Sequence, residues 1–363
     1  YLPRAFLQQL LQAHQITCFD EIYVSNAVGL RKDRGDMWAE LPRRENVAAD
    51  DWLHVGDNEH SDLQLPLEAG YRHPVHVMKA ADQFFLFNED AADWIQPQHW
   101  QESLLLGLLA NRLFVPGLAH QPVTVDVESR GLGVHSLHDL GYLAFGPVMV
   151  AFMAWLMKTS KDDGVTQLLY ASREGHLLKQ AHELIARYLP MPDAAYFLCS
   201  RRAAVFASIV DEASLEPLLK AHFNGTLADF LRLRLGVDDL AAYTERLGHE
   251  QMGANCDLPE RTTFCRRSLA ACLDLLQDAA SSERVAYQAY AQEIMGGHRA
   301  ALVDIGFSGT IQKALSKFLT GVSGAYYFVT VEAAAEVEAT GQFAKGCFGQ
   351  YINAFHSNMP IYQ

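Results

Sequence analysis

Several things that would each define a class of protein are missing or scarce in this sequence. Basic residues are outnumbered, with 29 Lys and Arg against 43 Asp and Glu, for a net charge of −14. Nucleic acid and anionic membrane surfaces demand positive potential, so neither is an expected partner. A local basic pocket for one phosphate remains compatible with that balance. The six cysteines (Cys18, Cys199, Cys256, Cys265, Cys272, Cys347) form no Cys-x-x-Cys pair and no Cys/His finger spacing. Such scattered cysteines are expected to be reduced thiols in a cytoplasmic protein. The 15 histidines include no His-Glu-x-x-His pair, which excludes that kind of zinc site. There is no internal repeat and no low-complexity segment. Long apolar runs are scarce too. The one candidate, Leu140 to Met157, has 18 consecutive uncharged residues, the lower limit for a membrane span. Gly141, Gly146 and Pro147 interrupt it, so a buried helix starting near Pro147 is expected rather than a span.

What is present is globular: half the residues are hydrophobic and a fifth are charged, which is not the composition of a disordered chain. A length of 363 residues predicts two domains, at about 100–200 residues each. The chain opens at Tyr1 with neither an initiator Met nor a signal peptide, as a fragment of a longer protein would. Residues 1–80 alternate helix and strand: a helix over Ala5–His14, a strand Glu21–Ser25, a helix over Asp36–Leu41, a strand Trp52–Asp57, a helix Leu63–Ala69 and a strand Val75–Met78. That alternation predicts a parallel α/β sheet. Residues 81–160 are less regular, with Trp94, Trp100, a helix-like LLLGLLANRLF and a Pro/Gly loop from Pro116 to Pro122. They are expected to form a connector and the opening helices of a second domain. From residue 161 the alternation resumes, with strands at 167–172, Ala195–Ser200, Ala301–Gly306 and Ala325–Val331, and helices at Glu174–Tyr188 and Thr310–Leu319. Residues 208–298 are almost wholly helical in pattern and form an expected insertion. The expected fold class is therefore α/β, a Rossmann-like partial core followed by a second α/β domain swollen by helices.

Two groups of residues suggest chemistry. In the first, VGDNEHSD places Asp57 and Asp62 five residues apart at the C-terminal end of a predicted parallel strand, the edge where open α/β sheets put their ligands. Two such carboxylates can converge on a hard cation such as Mg²⁺. Lys32 follows another predicted strand, and its ammonium can pair with those acids or neutralise charge on a phosphoryl group. The run YVSNAVGLRKDRGDMWAEL…WLHVGDNEHSDLQLPLEAGY resembles the later part of a haloacid-dehalogenase (HAD)-like hydrolase core. Lys32 matches the family's third motif, and Gly56, Asp57, Ser61, Asp62, Ala69 and Gly70 match its fourth. The resemblance implies Mg²⁺-dependent phosphoryl transfer through an aspartyl-phosphate, with Asp57 and Asp62 on the metal and Lys32 on the phosphoryl group. The sequence departs from the family in one respect: no Asp-x-Asp precedes Lys32. The nucleophile is either cut off or never existed, and the chain alone is not expected to turn over.

In the second group, YASREGHLLKQA runs from a strand through Ser172, Arg173 and Gly175 into a helix. Backbone N–H groups at such a turn, beside an Arg, suit a phosphate or carboxylate. ALVDIGFSGTIQKAL repeats the logic with Asp304, Gly306, Ser308, Gly309 and Thr310. Its glycines would allow close backbone approach and its hydroxyls could meet phosphate oxygens. Arg201 and Arg202 follow a third predicted strand. The order of these parts resembles, more weakly, a type I phosphoribosyltransferase-like domain. The whole arrangement is similar to uncharacterised proteins associated with bacterial surface-polysaccharide synthesis. The expected ligand is a small phosphorylated molecule such as a sugar phosphate or a nucleotide sugar. A HAD-like phosphohydrolase joined to a phosphate-binding domain, a glycosyl- or phosphoribosyl-transferring second domain, and a non-catalytic scaffold or sensor all remain open at this point.

Overall fold

The computed structural model describes residues 2–87, 99–115, 124–126, 131–220 and 222–353. Trp94 and the Pro116–Pro122 loop lie outside them. The chain divides into two compact units, Tyr1–Ala144 and Phe145–Gln363, with the border inside the expected connector.

The first unit contains the helices α1 (Arg4–Ala13), α2 (Asp36–Glu45) and α3 (Trp100–Phe114). Its strands are β1 (Leu53–Gly56), β2 (His73–His76), β3 (Thr124–Asp126) and β4 (Gly131–Gly133). β1 and β2 pair in parallel, Leu53 opposite His73 and Gly56 opposite His76. β3 and β4 form an antiparallel hairpin that was not expected from the sequence. The predicted strand Glu21–Ser25 is not a strand. Residues 21–24 are irregular, and Ser25–Val28 is a helical turn. Val24 is extended and buried, yet among the described residues no neighbouring strand takes its backbone groups, and apolar alternation alone makes no ladder. α2 buries Met37, Trp38 and Leu41. The Trp38 ring meets His54 and Tyr71 edge-on at 4.4 and 5.5 Å, and the Tyr71 hydroxyl donates to the Trp38 carbonyl at 3.1 Å. This aromatic knot fixes α2 relative to the strands that carry the acidic loop.

The second unit runs α4 (Gly146–Asp162), β5 (Gln167–Ala171), α5 (Glu174–Ile185), β6 (Asp193–Phe197), α6 (Arg201–Ala207), then an insertion that includes α7 (Thr262–Ala271) and α8 (Leu273–Met295). It continues with β7 (Ala300–Asp304), α9 (Thr310–Leu315), β8 (Val322–Val331) and β9 (Phe343–Ile352). All five strands are parallel, in the order β6-β5-β7-β8-β9. Because β strands alternate faces, Leu168, Tyr170, Ala301, Val303 and Tyr326 join Phe152, Met153 and Leu156 of α4 and Leu178 of α5 in one core. Leu169, Ala171, Leu302, Ala325 and Tyr327 pack on the other face with the insertion and α9. Burial on both faces explains the continuous apolar runs of these strands.

Pro147 lies in the first turn of α4, but the helix does not begin there as expected: helical residues 137–145 run directly into it. The burial of α4 is one-sided: Val148 and Val150 are exposed. Among the described residues, Leu137–Asp162 is the one helical run whose length and composition would allow a membrane span. The insertion is helical, as its pattern indicated. Arg284 of α8 anchors it, donating to the carbonyls of Ala207 and Ile209 at 2.8 and 2.7 Å. One expectation about cysteine is corrected here. Cys256 and Cys265 form a disulfide, their Cα atoms 5.8 Å apart and so within bridging reach; Cys18, Cys199, Cys272 and Cys347 are free thiols.

Candidate functional site

In the first unit, the acidic loop leaves β1 at Gly56, and the glycine is there for space. A Cβ at Gly56 would lie 2.4 Å from Cβ and Cγ of Asp62. Only glycine lets the Asp62 carboxylate fold back beneath the strand end, where it is 1% exposed. Asn58 caps the following turn, its side chain accepting from the Ser61 amide at 2.8 Å. Asp62 Oδ1 accepts from Lys32 Nζ at 2.6 Å and lies 3.1 Å from His54 Nε2, while Oδ2 accepts from the Asn58 amide at 3.0 Å. Burial opposes ionisation of this carboxyl, but Lys32, the Asn58 amide and His54 together outweigh it and hold the pKa below the ordinary range. Asp57 is exposed and pairs with Lys79 at 2.9 Å, a hydrogen bond that lowers its pKa as well.

Lys32 and Asp62 are thus brought together, thirty residues apart in sequence. Asp57 is close enough to Asp62 for the two charges to repel, but each carboxylate has its own ammonium. Magnesium needs convergent oxygen ligands. Both Asp62 oxygens are engaged, and among the described residues no group of three Asp, Glu, His or Cys side chains could hold a metal ion. These residues therefore do not fit a Mg²⁺ site on their own. Asp57 alone has room to offer a carboxylate. His54 and Lys79 were missed from sequence because neither belongs to a motif; they are set by the fold.

In the second unit, a cavity of about 660 Å³ opens at the C-terminal ends of β5, β6 and β7, and Arg173, Glu174, Cys199, Arg201, Asp304 and Phe307 line it. The chain goes from β5 outward to β6 and then crosses back to β7 on the other side of β5. This reversal is the point at which doubly wound sheets bind ligands. The turn after β5 is strained. Arg173 sits at φ 77° and ψ −96°, a region that costs a non-glycine residue about 1–3 kcal/mol. Its amide donates to the Tyr196 hydroxyl at 3.0 Å. Its side chain is 86% exposed and reaches only Glu174, at 3.5 Å. Gly175 is buried, and a Cβ there would lie 2.7 Å from the Tyr170 carbonyl carbon, so glycine is what lets α5 start so close to β5.

The remaining residues expected in this site separate into two roles. Ser172 is a clip between strands: its hydroxyl accepts from the Cys199 amide at 3.2 Å and donates to the Cys199 carbonyl. Gly306 makes room for Asp304, whose Oδ2 would lie 2.9 Å from a Cβ there, and Gly309, at φ 65°, makes room for Val337. Ser308 and Thr310 hydrogen-bond to each other at 3.0 Å and do not line the large cavity. Of the expected set, Ser172, Arg173, Arg201, Asp304 and Gly306 line the cavity, and the charged ones are Arg173, Arg201 and Asp304. Burial raises the Asp304 pKa, outweighing the amides of Gly306 and Ile305 that its carboxylate accepts from; Glu174 adds to the rise and Arg173 opposes it. A carboxyl so placed can hold or release a proton nearer neutrality than an ordinary aspartate.

No protein-family model matches the chain, and no curated protein matches its sequence. What can be said of function rests on these two clusters.

Proposed function

We propose that this protein binds a phosphorylated small molecule, a sugar phosphate or nucleotide sugar, in the strand-end cavity of its second unit. In this reading the first unit is the later part of a HAD-like phosphohydrolase core. The observation that carries the proposal is Arg201. It lines the cavity with no carboxylate bound to it among the described residues, in a chain of net charge −14. An arginine beside a strand-end cavity in so acidic a protein has a use for its charge, and a phosphate satisfies it bidentately. Arg173, presented by a strained turn, is the second cation.

Lys32 supports the first-unit reading. Its ammonium, anchored on the buried Asp62 carboxylate, stands at the edge of a parallel strand pair with 41% of its side chain exposed, placed to steady a phosphoryl oxygen. Phosphatase chemistry of the HAD kind would need a metal site completed beyond Asp57 and an aspartate nucleophile that these residues do not supply. Group transfer in the second unit is the other reading, and Asp304 favours it. A carboxyl with a raised pKa beside two arginines can take a proton from an attacking hydroxyl while the cations hold the departing phosphate.

A thermal-shift panel tests the main proposal. Hexose phosphates, phosphoribosyl diphosphate and nucleotide sugars are each compared with the unphosphorylated sugar. A ligand that binds the folded state raises the melting midpoint, and goes on raising it with the logarithm of its concentration above Kd. At least one phosphorylated compound should raise it, with the free sugar inert and Arg201→Gln reducing the shift. If no phosphorylated compound moves the midpoint, the proposal fails.

A further inference from the structure

A second, smaller cavity of about 230 Å³ adjoins the first, and Arg201 lines both. Its other polar walls are Arg202, Arg234 and Thr310, with Val205 and Leu218 among the apolar ones, and no carboxylate lines it. Three arginines lining one small space bring like charges together, and an acidic chain has many carboxylates with which to relieve that. Here it does not. Arg202, like Arg201, has no ion-pair partner among the described residues.

The arginines are also individually positioned. Arg234 lies over the Phe223 ring, 5.5 Å from its centroid, and donates to the His222 carbonyl. The Arg202 guanidinium occupies the space that Gly236 leaves, where a Cβ would approach it to 3.0 Å. A cluster of positioned cations with no anion of its own is a binding site for an external one.

We infer that the small cavity is a second anion subsite, and that the ligand of the strand-end cavity carries two phosphoryl groups, one on each side of Arg201. This rests on the proposed phospho-ligand function and deepens it by naming the ligand class: a diphosphate rather than a monophosphate. Arg173 and Arg201 take the first group. Arg201, Arg202 and Arg234 take the second. Neither subsite needs a conformational change to exist.

The test is calorimetric titration of the full chain with inorganic phosphate and with inorganic pyrophosphate, for wild type, Arg202→Gln and Arg173→Gln. Wild type should bind pyrophosphate at least tenfold more tightly than phosphate. Arg202→Gln should bring pyrophosphate down to the phosphate level and leave phosphate within twofold, whereas Arg173→Gln should weaken both. Arg202→Lys, which keeps the charge but loses the fork, should fall between wild type and Arg202→Gln, and an unchanged melting midpoint in each variant separates lost binding from lost fold. If phosphate binds but pyrophosphate binds no better, or if Arg202→Gln changes neither, the second subsite is overturned while the phospho-ligand reading stands. If neither anion binds wild type, both are overturned. Phosphoribosyl diphosphate and a nucleotide sugar, titrated in parallel, distinguish the two sources of a diphosphate.

Discussion

The two units treat charge in opposite ways. In the first, the cation Lys32 is answered by Asp62, a buried carboxylate whose oxygens are all engaged. In the second, Arg201 and Arg202 have no ion-pair partner among the described residues, and Asp304 accepts from backbone amides, with the charge of Arg173 nearby. The first cluster is internally complete and contributes to stability. The second has no such internal answer for Arg201 and Arg202 among the described residues, and that is why the proposed ligand is placed in the second unit. The presence of motif residues would have favoured the first unit; the balance of charges favours the second.

If that contrast is right, removing a charge should cost stability in one unit and affinity in the other. Asp62→Ala leaves Lys32 and His54 without their shared acceptor and the Asn58 amide unpaired. Because Lys32 is partly solvated, the loss should be about 2–3 kcal/mol in the first unit, read as a shifted urea transition; a shift below about 1 kcal/mol would show that the cluster is not structural. Gly175→Ala presses a methyl against the Tyr170 backbone and should destabilise the second unit by about 2 kcal/mol through overpacking. Arg201→Gln should leave the second unit's unfolding midpoint unchanged and weaken phosphate binding about tenfold, the affinity equivalent of about 1.4 kcal/mol. A loss of stability there would mean that Arg201 is structural after all.

The smallest effect is the most discriminating, because its sign differs between the units. The Asp62 pKa is lowered on folding, so its contribution is present above the ordinary carboxylate range and is lost as pH falls through the folded value. The Asp304 pKa is raised, so its contribution is complete below that range and is lost as pH rises through the folded value. Asp62→Asn should therefore flatten the acid limb of the first unit's stability. Asp304→Asn should make the second unit more stable near neutrality. Denaturation series from pH 3 to pH 8 measure both, and slopes of the same sign would break the comparison.

Much of this architecture was legible in the sequence, for identifiable reasons. β5 and β7 are buried on both faces and bounded by sharp turns, so their apolar runs stood out. Lys32 and Asp62 stood out because their residue types match the pattern of the family that this stretch resembles, and the fold brings the two together. Glu21–Ser25 misled because extension and burial of Val24 look like a strand until a partner is sought. β9 escaped notice because Gly346 and Gly349 dilute its apolar pattern; a Cβ at Gly346 would collide with backbone of neighbouring residues, and one at Gly349 would crowd the Ile352 side chain at 3.0 Å. Ser172, Ser308 and Thr310 looked like phosphate ligands by residue type, but their hydroxyls are used within the protein. Arg234 could have been found: FLRLRL sets two arginines among leucines, and an arginine held partly buried needs an acceptor or an anion.

The most direct test of the central claim compares calorimetric binding of inorganic phosphate to wild type and to Arg201→Gln at matched pH and low salt. The account predicts measurable binding to wild type, about tenfold weaker binding to the variant, and the same melting midpoint for both. Unchanged binding in Arg201→Gln, or no binding to wild type, would contradict it.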